Sequence, residues 1–150
     1  MTMTSRLDLK LFVATAFSVL LIVSVFGDAL YVGTWYYIVV PAVAALLFWP
    51  FKPPPLYRLG ISFGLLITFV TYLCINYFSA RPEGLLGLGH LFSLPGAAVG
   101  IVISAYLANR SPRLTLQGAF IMGLAGILSG FFINQLIVCN TVMWCGVLSV

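Results

Sequence analysis

The chain has 150 residues, 62% of them hydrophobic and only 7% charged, with a formal net charge of +4 and a mean hydropathy of +1.14. A soluble domain carries roughly 25% charged residues so that water can hydrate its surface. This composition therefore excludes a water-soluble monomer and makes lipid the solvent of the outer surface. The length suits one helical bundle without a separate soluble domain, and the seven basic residues are split among short segments, which excludes a dense nucleic-acid-binding patch.

The first apolar run follows Arg6 and Lys10. Residues 11–26 followed by Gly27, Asp28 and Ala29 have the outline of a secretory leader. The run is longer than a usual leader core, so an uncleaved first span over 9–26 is expected. Asp28 marks the tip of a short outer turn. A second span is predicted over 34–49, opened by Trp35, Tyr36 and Tyr37 and closed by Phe48 and Trp49. Aromatic rings at both ends fit the two membrane interfaces. Pro41 removes a backbone donor inside this span and predicts a kink. The span is also short against the ~20 residues that cross a bilayer.

Residues 50–58 contain three consecutive prolines, Pro53, Pro54 and Pro55. Such a run favours a stiff extended spacer. A third span is predicted over 59–79, and then an outer loop over 80–90 holding Arg81, Glu83 and His90. A fourth span over 91–108 carries Pro95 near its start, and a tight turn over 109–113 leads to a fifth span over 114–138. The apolar tail, 139–150, is too short to cross again and is expected at the interface or folded back on the bundle.

Charge sets the direction. Arg6, Lys10, Lys52, Arg58, Arg110 and Arg113 fall on one side of this scheme, and only Arg81 on the other. Lys and Arg are retained on the cytoplasmic side of a membrane. The sequence thus predicts an all-α bundle of five transmembrane helices, N-terminus inside and C-terminus outside, with a bacterial inner (cytoplasmic) membrane as its expected location.

Small residues recur at helical spacing in three spans. Gly60, Gly64 and Thr68 lie in the third, and Gly96, Gly100, Ser104 and Ala108 in the fourth. Ala119, Gly123, Gly126 and Gly130 lie in the fifth. Within lipid there is little hydrophobic drive between helices, and small residues let backbones approach closely enough for van der Waals packing. Spans three to five are expected to form the tight core. Further small faces would serve self-association or a partner helix.

The intramembrane polar residues are Asn76, Asn134 and Gln135. They predict either hydrogen bonds between helices or an outward-facing polar site. Asp8, Asp28 and Glu83 are all expected in or near loops, which disfavours an ion-coupled pump. His90 is expected to be solvated, and with Glu83 it offers too few ligands for a metal. Cys139 and Cys145 bracket a small loop of the outer tail, and an oxidising compartment would pair them. Cys74 reads as a small apolar residue. No nucleophile–base set, phosphate loop or dinucleotide fingerprint is present, so no catalytic residue, cofactor or metal is expected.

What remains is helix faces. The expected function is non-enzymatic: protein binding within the bilayer, either as an accessory subunit of a membrane complex or as an immunity-type protein against a membrane-inserting toxin. The alternative is a homo-oligomeric transporter or channel for a small neutral or lipidic substrate, with Asn76, Asn134 and Gln135 along its path.

Overall fold

The structure is a computed structural model in which residues 3–28, 30–78 and 85–142 are described. It is all-helical, with α1 over Met3–Phe26, α2 over Tyr36–Phe48, α3 over Tyr57–Tyr77, α4 over Leu85–Arg110 and α5 over Leu116–Thr141. A single 3₁₀ turn, Trp49–Phe51, extends α2, and no strand occurs among the described residues. Four helices are long and apolar enough to cross a membrane, and Tyr36–Phe51 is a shorter fifth. The 21 residues of α3 rise about 31 Å, which matches a hydrocarbon core of ~30 Å. The 13 residues of α2 rise only about 20 Å.

The outward faces support the lipid reading. Leu21, Val25, Leu46, Val99, Ile121 and Ile133 are among many large apolar side chains left exposed on the helices. A soluble monomer rarely shows apolar surface of that extent.

Several helix limits differ from those the sequence predicts. α1 begins at Met3, so Arg6, Asp8 and Lys10 lie inside its first turns. Asp8 is not a loop residue: it is 1% exposed. Its Oδ1 accepts a hydrogen bond from the Leu59 backbone N–H at 3.1 Å. Leu56, at the start of α3, has a left-handed φ of 70° and supplies no side-chain cap. Asp8 therefore caps α3 from a different helix, where a carboxylate meets both unpaired N–H groups and the positive end of the helix dipole. Its Oδ2 lies 3.9 Å from Arg58 Nε.

α4 begins at Leu85 rather than 91, so His90 is helical and not part of an outer loop. α5 runs to Thr141, so Cys139 belongs to the helix instead of a tail. Arg81, Glu83 and Cys145 fall outside the described residues. The α4–α5 connection is tight. Pro112 cannot continue a helix, and Thr115 restarts one, its side-chain oxygen accepting from the Gly118 N–H at 3.1 Å.

α5 occupies the middle of the packing, between α3 and α4, while α1 packs on α3, and α2 on α4 and α1. A Cβ at Gly60 would fall on the Phe120 carbonyl, one at Gly64 on the Ile127 side chain, and one at Gly123 on the Tyr57 carbonyl. At Gly60 and Gly123 the backbones of α3 and α5 touch, a contact that only glycine permits. Tyr57 is fully buried beside them. Its hydroxyl donates to the Ile101 carbonyl at 2.9 Å and meets Ser104 Oγ at 2.7 Å, which ties the start of α3 to the end of α4.

Candidate functional site

Two features are built from chemistry-bearing residues: a groove on the outside of α4 and α5, and a polar cluster inside the bundle.

The groove arises from the α4–α5 contact itself. A Cβ at Gly100 would strike the Gly126 carbonyl, one at Gly130 the Gly96 carbonyl, and one at Gly126 the Ser104 side chain. With the two backbones touching, the side chains on either flank stand above a furrow of about 710 Å³. Gly96, Gly100, Ser104, Gly126 and Gly130 lie along it, and Val99, Ile103, Ile121 and Ile133 form its rims. Its polar atoms are few. Ser129 Oγ turns back to the Gly126 carbonyl at 3.3 Å, and Asn134 Nδ2 donates to the Phe92 carbonyl across to α4 at 2.6 Å. Ala119, by contrast, is fully buried.

The inner cluster centres on His90. Its side chain is fully buried, not solvated as the sequence predicts. The ring stacks on Phe69 with centroids 4.8 Å apart and an interplanar angle of 19°. Tyr72 and Phe131 lie 5.1 Å away. Nδ1 is 2.7 Å from the Tyr36 hydroxyl. α2, α3, α4 and α5 thus meet at one imidazole, which is amphipathic enough to pack among rings and still take a hydrogen bond.

One turn further along α4, Ser93 donates to the Gly89 carbonyl at 2.9 Å and also bonds the Gln135 side-chain oxygen. Gln135 in turn reaches Cys139 Sγ at 3.1 Å. Asn76 is fully buried in α3. The three polar residues singled out by sequence therefore separate: Asn76 and Gln135 face inward, and Asn134 lies on the groove. Asp28 organises the α1–α2 connection instead, with Oδ2 accepting from the Gly33 N–H at 2.6 Å and Oδ1 from the Tyr37 hydroxyl at 2.7 Å.

The burial of His90 and Asp8 is not what the sequence predicts, which places His90 in water and Asp8 in or near a loop. The available signal for Asp8 was its place only two residues after Arg6 and before Lys10, at the mouth of an apolar run, where an acid is useful as a cap for a neighbouring helix. Among the described residues no group of three or more His, Cys, Asp or Glu is close enough to hold a metal ion. Comparison with known families, with curated proteins and with solved structures finds no match to this chain.

Proposed function

We propose that this chain is a small non-enzymatic integral membrane protein of five spans, N-terminus inside and C-terminus outside, that acts by binding another membrane protein within the bilayer. An accessory subunit of a membrane complex and an immunity-type protein against a membrane-inserting toxin are the two forms of this reading. The observation that carries it is the α4–α5 groove. It is long, almost wholly apolar and floored by small residues, which is the surface on which a second helix packs closely in lipid. Helix-in-groove recognition needs an apolar furrow of this kind and little else.

The transporter alternative has weaker support. Asn134 stands apart from Asn76 and Gln135, and below the polar cluster the interior is filled by Leu65, Ile101 and Ile127, each at most 4% exposed.

The test is site-specific photocrosslinking in native membranes, with the reactive side chain at Ile103 or Ile121 on the groove and, as reference, at Leu21 on exposed α1. A foreign membrane protein captured in stoichiometric yield from the groove and not from α1 supports binding. Adducts of this chain with itself alone, or equal capture from both faces, would move the assignment to a self-associating transporter and call for a liposome flux assay.

A further inference from the structure

Two contacts set how α2 stands beside α4. At the start of α2, the Tyr36 hydroxyl lies 2.7 Å from Nδ1 of His90, near the start of α4. At its end, Phe48 packs edge-on against Tyr57 with ring centres 6.3 Å apart, and Tyr57 bonds α4 at Ile101 and Ser104. The two helices therefore run in the same direction and are joined at both ends. Lys52, Arg58 and Arg110 follow the second joint along the chain, and exposed Trp35 marks the first.

Between the joints lies a crevice of about 170 Å³. Its walls are Val39, Val43 and Leu47 of α2 and Leu94 and Ala98 of α4, and its floor is Leu65 of α3 and Ile127 of α5. Ala44 and Ala97 also border it, and both are too small to fill it. Val39 and Val43 are exposed, so the crevice opens sideways into the surroundings of the bundle. It uses the opposite face of α4 from the groove, which takes Gly96, Gly100 and Ile103.

Size and chemistry select the occupant. A helix is about 10 Å across with its side chains, too wide for this space. A trapped water needs two to four polar partners. Among the described side chains that line the crevice only Trp35 and Tyr36 carry polar atoms. Both stand at one end, and the Tyr36 hydroxyl is already engaged by His90. The volume is close to that of an engineered apolar cavity, ~150 Å³, that stays dry and takes up a hydrocarbon. From Trp35 to Leu47 the helix rises about 18 Å, a little more than half of a ~30 Å hydrocarbon core. The crevice is thus narrow, apolar and as long as the chain region of one leaflet.

We propose that the α2–α4 crevice holds one acyl chain of a membrane phospholipid. The lipid sits with its headgroup beside Trp35, whose indole settles at headgroup level, and one chain runs along α2 toward Leu47. Its methylenes supply the dispersion contacts that the walls otherwise lack. Because the two joints hold the helices apart at fixed points, the chain enters a preformed space. This site does not depend on what the groove binds.

The experiment places the full chain in phosphatidylcholine vesicles containing some lipid with a diazirine midway along one acyl chain. The protein is washed in mild detergent until its lipid content is constant, then illuminated and digested. Adducts mapped by mass spectrometry should concentrate at Leu94 and Ala98 and be sparse at Leu21, exposed on α1. Ala98→Phe fills the crevice with the variant's own ring and should remove the adducts at Leu94, with an unchanged or raised thermal midpoint. Val43→Phe, at an exposed position of the rim, should block the mouth with the same result if the first variant does not fold. Adducts at Leu94 no denser than at Leu21, or undiminished in the folded variants, would overturn the site. Labelling of Leu94 by a diazirine fatty acid and not by the phospholipid would overturn the phospholipid assignment.

Discussion

Asp8 shows how much one side chain can connect. Its carboxylate joins α1 to the first turn of α3 by a hydrogen bond to the Leu59 N–H and an ion pair with Arg58. Removing one partner of such a set leaves buried polar groups unsatisfied, at about 1–3 kcal/mol. Asp8→Ala should therefore lower the thermal midpoint in mild detergent clearly. Asp8→Asn should recover part of the loss, because its amide oxygen still accepts from Leu59 while the charge is gone. Equal midpoints for all three proteins would show that α1 is held by its apolar face alone. Neither this role nor that of His90 was legible in the sequence. Both depend on which helix lies opposite, and a polar residue next to glycines, as in Gly87–His90, has the composition of a loop. In lipid the same glycines sit comfortably in a helix, because neighbouring helices pack against them.

At the scale of helices the sequence was far more informative. The steps of four, three and four residues from Ala119 to Gly130 define one side of a helix before any neighbour is known. Gly123 meets Tyr57 of α3, while Gly126 and Gly130 meet α4, so the small side of α5 is divided between two partners. Spacing does not reveal that division. It follows from the angle between faces once three helices share one space. Gly126→Leu places a branched side chain where Ser104 and the Gly100 carbonyl now lie, and it should abolish folded yield or reduce stability by several kcal/mol, in the range of severe overpacking. Ala125→Leu, one position away on an exposed part of the groove, should change stability by less than about 0.5 kcal/mol. Similar losses for both would mean that the α4–α5 contact is looser than these glycines imply. Element ends were less readable. α4 starts six residues earlier than expected, at Leu85, because Arg81, Pro82 and Glu83 just before it read as a longer loop than the helix allows.

For the whole molecule, apolar exposure and helix length point to a membrane. Orientation rests on the charge pattern, which the packing now gathers at one end of the bundle. Accessibility to a membrane-impermeant maleimide tests it. In a variant with Cys74→Ser and Cys139→Ser, Cys145 should react in intact cells at the rate seen after lysis. Labelling only after lysis would reverse the orientation or remove one crossing, and the short α2 would then be the helix to re-examine. The number of crossings was the least legible property, since 13 residues in α2 fall between a surface helix and a full span.

The central position of α5 has a consequence for how the protein is made. A ribosome delivers helices in order, so α3 and α4 enter the membrane before the helix that separates and joins them. Until α5 arrives, Gly60 and Gly64 on one helix and Gly96 and Gly100 on the other face lipid without the helix they fit. Assembly is thus withheld until late in synthesis. Chains interrupted before Leu116 would present open glycine faces to the quality-control proteases of the membrane, and they should be cleared much faster than the completed protein.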